Sequence, residues 1–379
     1  MTVILDDPVR ALADYVSHDS VSADSCFASG VAAARDFACE RLRELGFTVE
    51  IVKTPINPVV LATRGDPSWP HLVIYGHYDV QPPDPLDLWV SDPFEATVRD
   101  GRLYGRGAAD NKGPQIVHMT ALHRVLKENP DLPLRISYLI EGEEEIGSPS
   151  FRGFLEERKD SLLGELLLVS DTGSPGPDQL VVTTGLRGLT ALEVKLFGPR
   201  QDLHSGVHGG ALLNPLQALM KIGSSLHDDE GRVTVPGFYD AVVAPEQWER
   251  EELSRLPLTE DKYAEFLGID EFSPPPGYSP LEAIRFCPTL EFNGVGGGYQ
   301  GEGSKTVIPA EAFAKITCRL VPNQSSEDIA NKVKAAVEQF CPSAIRCEVF
   351  VKGGGDPYVV IPPGKPGSSG SEPHLMKKA

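Results

Sequence analysis

Hydrophobic and polar positions follow one pattern as far as about residue 172 and a different pattern after it. In the first part, apolar runs of strand length alternate with amphipathic segments of helical period. Strands are predicted at 47–52, 59–63, 71–75, 134–140 and 166–170, helices at 8–17, 30–45, 116–126 and 151–162, and a hairpin at 94–104. Because strands that alternate with helices build parallel sheets, this part predicts an α/β fold: a mostly parallel sheet with helices on both faces.

The second part of the chain has longer strands, separated by an irregular stretch. Strands are predicted at 180–184, 190–197, 313–320 and 345–351, and helices at 214–227 and 326–340. The proline-rich, acidic stretch 228–285 is predicted to be irregular. Because a strand–helix–strand unit follows earlier strands, this part predicts a small inserted α+β domain of ferredoxin-like type.

Length and charge narrow the class of protein. A chain of 379 residues is long for one core, so two domains are expected. The formal net charge of −19 argues against a nucleic-acid partner, and no apolar run reaches the length of a membrane span. The N-terminus lacks the basic segment of a signal peptide, and the six scattered cysteines form no CxxC pair. These features predict a cytoplasmic protein with reduced thiols.

Candidate metal ligands stand where predicted strands meet helices. His77, Asp110, Glu145 and Asp171 each occupy a separate junction of this kind. Because the carboxyl ends of parallel strands share one edge of a sheet, these side chains are expected to converge. One imidazole and three carboxylates suit a divalent ion such as zinc, manganese or cobalt. A lone histidine is more often a core residue, but four such groups at successive junctions favour a metal centre.

Two acidic neighbours complete the predicted centre. His77 and Asp79 share a face of an extended backbone, so the carboxylate can orient a metal-bound imidazole. Glu144 precedes Glu145, and only one of the two can easily face the ion. The other would point into the cleft, where a carboxylate serves as general base for hydrolysis. The remaining acids of this run, Glu141 and Glu143, are predicted to lie in a solvated loop.

Several long motifs occur in a fixed order: GHYDVQP at 76–82, LWVSDPFEATVRDGRLYGRGAADNKGP at 88–114, EGEEEIGS at 141–148, VSDT at 169–172 and LHSGVHGG at 203–210. Together they resemble the M20 family of zinc metallopeptidases, and GHYDVQP is most similar to its cytosolic dipeptidase (carnosinase-like) branch. The resemblance implies hydrolysis of dipeptides or short peptides. It also implies two divalent ions, most simply Zn²⁺, that share Asp110, with His77, Glu145 and Asp171 as their other ligands.

The resemblance also assigns roles beyond the ligands. Glu144 would be the general base, and Asp79 would orient His77. The peptide bond between Asp110 and Asn111 is expected to be cis, as in the family.

The inserted domain resembles the family's dimerisation or lid domain, which implies a homodimer. His204 would stabilise the oxyanion in the partner subunit's site, and Arg319 would bind the substrate's carboxylate. From the residues alone, a loop histidine and a surface arginine remain open alternatives. The resemblance implies a catalytic domain over 1–182, the inserted domain over 183–351 and a second catalytic segment that begins at 352–379.

One element of the family pattern has no counterpart in the sequence. The second metal site is closed in the family by a later histidine, and the only histidine after His227 is His374, which is not assigned. A truncated chain or an incomplete sequence would both explain this. Two alternative functions stay open: an N-acyl amino-acid amidohydrolase with the same metals, and a truncated homologue without catalytic activity.

Overall fold

The computed structural model describes residues 4–173, 176 and 181–362. The chain forms two compact units that divide between residues 174 and 175. The predicted domain bounds, and the role of the inserted domain, stay predictions. His374 and most of the predicted third segment, 352–379, lie outside the described residues.

The first unit contains the elements of the predicted α/β part. They are α1 (Pro8–Val16), α2 (Ala28–Glu44), β1 (Thr48–Val52), β2 (Val59–Arg64), β3 (His71–His77), β4 (Thr97–Arg99), β5 (Arg102–Tyr104), α3 (Lys112–Glu128), β6 (Arg135–Glu141), α4 (Phe151–Leu162) and β7 (Leu166–Val169). The sequence marks several of these ends. Asp7 caps α1 by accepting a hydrogen bond from the Arg10 N–H, and Gly46 follows α2 with φ +81°.

The five-stranded sheet of this unit has the order β1-β2-β6-β3-β7. Strand β3 runs parallel to both β6 and β7, as predicted. Strands β1 and β2 are antiparallel, and so are β2 and β6. The α/β class is therefore confirmed, but the sheet is mixed. The connection 53–58 between β1 and β2 is too short for the crossover that a parallel pair needs.

Helices cover both faces of this sheet, as the alternation of strands and helices along the chain predicts. On one face, Tyr15, Phe37 and Ile116 from three helices pack with Ile74 of β3. On the other face, Phe154 of α4 packs in a cluster with the strand residue next to Ile74, Val73. Neighbouring residues of a strand point to opposite faces, so β3 is held from both sides. Each large side chain buried in this way contributes about 1.5–3 kcal/mol.

The second unit is built on an antiparallel sheet. Its elements are β8 (Gly185–Leu186), β9 (Gly188–Phe197), β10 (Leu203–His204), α5 (Ser205–His208), α6 (Pro215–Ser225), α7 (Gln247–Ser254), α8 (Glu260–Leu267), α9 (Pro280–Phe286), β11 (Thr289–Gly297), β12 (Val307–Ile308), β13 (Glu311–Leu320), α10 (Ser326–Phe340), β14 (Arg346–Gly355) and β15 (Tyr358–Val359). The main sheet has the order β11-β13-β9-β14, and α6 and α10 pack on one of its faces. This strand order, with a helix in each half, is the ferredoxin-like arrangement.

Two predictions for this unit were wrong. The stretch predicted as irregular holds three short helices, α7, α8 and α9. Each begins with a local cap: α9, for example, starts with a capping box between Ser279 and Glu282. The predicted strand at 180–184 has no regular structure over its described residues, 181–184, and Leu180 lies outside them. Pairing begins only at Gly185, opposite Val359.

Membrane spans were not expected from the sequence. Among the described residues, no helix combines the length and the apolarity that a bilayer crossing requires.

Candidate metal centre

The predicted ligands of the first unit come together at one edge of its sheet. His77 ends β3, Asp171 follows β7, and Asp110 lies just before α3. Nε2 of His77 lies 2.9 Å from Oδ1 of Asp110 and 3.8 Å from Oδ2 of Asp171. The chain therefore forms the convergence that the strand ends predict.

The acidic turn after β6 reaches the same imidazole. Ligand atoms of His77, Glu144 and Glu145 all lie within 4.8 Å of one another, and the same holds for His77, Asp110 and Asp171. Both neighbouring glutamates thus approach the centre. Which of them binds an ion and which acts as base stays a prediction.

The charges around His77 test whether a cation fits. Burial would lower the pKa of His77, but the nearby carboxylates of Asp110, Asp171 and Asp79 outweigh it and raise that pKa to about 12. A positive charge is therefore strongly favoured among these carboxylates. One ring nitrogen and several carboxylate oxygens are also the donor types that bind zinc or manganese. The donor set fits a divalent ion, which would take the place of the imidazole proton.

Asp79 holds the other side of the imidazole. Nδ1 of His77 lies 3.0 Å from the backbone oxygen of Asp79 and 3.4 Å from its Oδ1. The Asp79 side chain is fully buried, and its Oδ2 accepts hydrogen bonds from the Ser22 hydroxyl and the Glu145 N–H. The geometry agrees with the predicted orienting role, and it makes the backbone oxygen the nearer acceptor.

Neutral side chains that the sequence analysis did not identify hold the predicted ligands in place. The peptide bond between Asp110 and Asn111 is cis, as expected. The Asn111 amide donates to Oδ1 of Asp171 at 2.9 Å. The amide of Gln115 donates to the backbone oxygen of His77, from the first turn of α3. In the sequence, only the position of Asn111 directly after Asp110 pointed to such a role. Hydrogen bonds between distant segments cannot be read from a single sequence.

The two neighbouring glutamates have perturbed pKa values. Burial raises the pKa of Glu144 to about 7, and the negative charges of Glu145, Asp171 and Asp79 act in the same direction, against the opposing charge of His77. Burial also raises the pKa of Glu145, which accepts a hydrogen bond of 2.7 Å from Gln81. A carboxyl group with a pKa near 7 can both accept and donate a proton near neutral pH.

Comparison with known proteins identifies the family. Residues 73–360 match the family model described as peptidase family M20/M25/M40. The chain belongs to this peptidase family. It is 35% identical over 346 residues to the Cys-Gly metallodipeptidase dug1 of Schizosaccharomyces pombe, covering 88% of this chain and 73% of the relative. It is 33% identical over 349 residues to the human Beta-Ala-His dipeptidase, covering 88% and 69%.

Solved structures of M20 enzymes have the same fold. Human carnosine dipeptidase 1 superposes with a TM-score of 0.79 at 31% identity, over 94% of this chain and 79% of that one. The M20 family metallo-carboxypeptidase Sso-CP2 of Sulfolobus solfataricus also gives a TM-score of 0.79, at 32% identity, over 90% and 78% of the two chains. The resemblance inferred from the motifs is confirmed, and with it the metallopeptidase class and its divalent metal.

The second unit of this M20 chain carries the other two predicted residues. Nδ1 of His204 accepts a hydrogen bond from the Gly206 N–H at 3.0 Å, and its Nε2 lies 3.0 Å from the Thr306 hydroxyl. In a neutral ring, the proton is then on Nε2. Arg319 is exposed near the end of β13, opposite Thr289 of β11.

The prediction that Glu141 and Glu143 are solvated was wrong, because both residues are buried. Glu143 accepts hydrogen bonds from the N–H groups of Asn57 and Ser150, and from the Thr54 hydroxyl. It ties the loop after β1 to the turn that carries Glu144 and Glu145. A run of acids after a strand is typical of a solvated loop, and two of the three donors to Glu143 come from the distant loop after β1.

Replacing Glu143 with alanine should destabilise the protein by on the order of 2 kcal/mol, because the part-buried N–H groups of Asn57 and Ser150 lose a charged acceptor. Urea unfolding followed by circular dichroism measures the change. Glu156→Ala is the control, since this exposed residue only pairs with Arg152 on α4 and its loss should change stability little. Equal stability of the two variants would contradict the structural role of Glu143.

Proposed function

We propose that this M20 chain hydrolyses dipeptides or short peptides with a free C-terminal carboxylate. The convergence of His77, Asp110 and Asp171, with two further carboxylates beside them, carries this proposal. The relatives support the substrate class, since two of them are named for the dipeptides Cys-Gly and Beta-Ala-His.

Two divalent ions, most simply Zn²⁺ with Mn²⁺ or Co²⁺ as alternatives, are part of the proposal. Asp110 would be shared between them, His77 and Glu145 would complete one ligand set, and Asp171 would belong to the other. When bound, such ions supply Lewis acidity, which polarises a peptide carbonyl and acidifies water.

Glu144 is the proposed general base. Its carboxylate takes a proton from the attacking water as the water oxygen bonds to the carbonyl carbon. The same carboxyl group then gives this proton to the amine nitrogen as the carbon–nitrogen bond breaks. The products are a carboxylic acid and an amine. A pKa of about 7 suits both transfers. Asp79 keeps the His77 ring in its orientation throughout.

Arg319 is the proposed binding residue for the substrate's carboxylate. Among the described residues, it has no carboxylate partner within 4.0 Å, in a chain with 54 acidic and 35 basic residues. Burial and the like charges of Arg319 and Arg285 lower the pKa of Arg187, so three guanidinium groups share this region of the second unit. An anion that bound there would relieve their repulsion. His204, with its proton on Nε2, would donate a hydrogen bond to the oxyanion in a partner subunit's site.

The homodimer and the cytoplasmic location remain parts of the proposal. Sedimentation velocity on the purified chain measures the first: a mass of about twice 41.0 kDa is expected, and a monomer at micromolar concentration would contradict it. No observation favours the amidohydrolase or the non-catalytic alternative.

Replacing Glu144 with glutamine should lower kcat on a dipeptide by about 10²–10⁴-fold, because the amide cannot accept the proton of water. The metal content of the variant, measured by inductively coupled plasma mass spectrometry, should stay close to that of the wild type. The control is Glu156→Gln on the surface of α4, which should keep full activity. If the Glu144→Gln variant were as active as the wild type, Glu144 would not be the general base. If the wild-type protein took up no metal, the non-catalytic alternative would be favoured.

Replacing Arg319 with methionine should lower kcat/KM for free dipeptides by about 10–100-fold, since a charge-assisted hydrogen bond is lost. C-terminally amidated dipeptides should be poor substrates of both proteins and should be affected little by the change. Arg346→Met is the matched control, because this arginine of the same sheet already pairs with Glu348. A panel of N-acyl amino acids belongs in the same assay, and faster turnover of these would favour the amidohydrolase.

A further inference from the structure

We infer that Ser22 is a positioning residue of the metal centre, which acts through Asp79. The Ser22 hydroxyl donates to Oδ2 of Asp79 at 2.7 Å, and the same oxygen accepts the N–H of Glu145 at 3.1 Å. The other oxygen, Oδ1, faces Nδ1 of His77 at 3.4 Å. One buried carboxylate thus connects the N-terminal segment, the imidazole and the glutamate turn.

Residues 18–22, which we call the N-terminal strip, bind the loop around Asp79 along its length. The N–H of Val80 donates to the Ser20 oxygen at 2.9 Å, and the Ser20 hydroxyl donates to the Tyr78 oxygen at 2.7 Å. Val21 forms a parallel bridge with Val80, and both side chains are buried. These contacts therefore fix the position of Ser22 beside Asp79.

The strip also binds the segment that carries Asp110. The Lys112 ammonium donates to the backbone oxygen of His18 at 2.6 Å, and the Lys112 side chain is fully buried. Its Nζ lies 5.3 Å from the centre of the Tyr15 ring at the end of α1. Two ligand-bearing segments, the one after β3 and the one before α3, therefore meet on the same five-residue strip.

The hydroxyl of Ser22 matters because Asp79 has few donors. Its side chain is fully buried, and Oδ1 has no hydrogen-bond partner within the usual limits among the described residues. Without Ser22, the Glu145 N–H would be the remaining hydrogen-bond donor to this carboxylate among the described residues. Removal of a group that orients a ligand typically lowers metal affinity by about 10–100-fold.

The inference rests on the proposed metal centre, so its test measures metal binding rather than activity. The proteins are wild type, Ser22→Ala, Ser22→Thr and Ser17→Ala. Ser17→Ala is the control, because the Ser17 hydroxyl donates to the backbone oxygen of Asp14 in α1. Zn²⁺ affinity is measured by competition with a chromophoric chelator. The visible absorption of the Co²⁺ form reports ligand geometry, and thermal unfolding of the metal-free proteins reports the fold.

Ser22→Ala should bind Zn²⁺ about 10–100-fold more weakly and show an altered Co²⁺ spectrum, with metal-free unfolding close to wild type. Ser22→Thr keeps the hydroxyl and should restore affinity to within about threefold, and Ser17→Ala should match wild type. Unchanged affinity of Ser22→Ala overturns the inference while the proposed function stands. The inference is also overturned if metal-free Ser22→Ala is already unfolded at the assay temperature, since the role of Ser22 would then be structural. If metal binding responds as expected but no variant or wild type cleaves a dipeptide, the proposed function fails and the positioning role stands.

Discussion

The carboxylates around His77 repel one another, and the rest of the first unit is arranged so that they can stay together. Asp110 and Asp171 face one ring nitrogen, and Asp79 faces the other. Without a positive charge in their midst, the cost of bringing these groups together would rise steeply, because the imidazole and Asp79 are fully buried. The high pKa of His77 expresses this demand for a positive charge among the carboxylates.

Neutral donors, rather than further cations, fix the geometry. Ser22 binds Asp79, Asn111 binds Asp171, and Gln115 binds the backbone oxygen of His77. A serine or amide can orient a carboxylate without competing with a divalent ion for its charge, as an arginine would. The buried amine of Lys112 points instead to the backbone oxygen of His18. Orientation and charge compensation are thus supplied by different groups.

The sequence predicted that these side chains converge because they lie where predicted strands meet helices. His77 and Asp171 end parallel strands, and the ends of parallel strands meet at one sheet edge. The orienting residues were missed, since Ser22 lies 57 positions from Asp79 and no local pattern connects them. The buried Glu143 was misjudged for the same reason, as its donors lie up to 89 positions away. The antiparallel pairing of β1 and β2, in contrast, could have been predicted from the short connection 53–58 between the two strands.

The second unit has its own core and a different electrostatic character. On the exposed face of its sheet, some charged side chains form ion pairs: Lys352 pairs with Glu193, and Arg346 with Glu348. Arg319 does not, within the described residues, although acidic residues outnumber basic ones in the chain. Burial and the like charges of Arg319 and Arg285 lower the pKa of the neighbouring Arg187. A guanidinium group can bind a carboxylate through two parallel hydrogen bonds, which is the role proposed for Arg319.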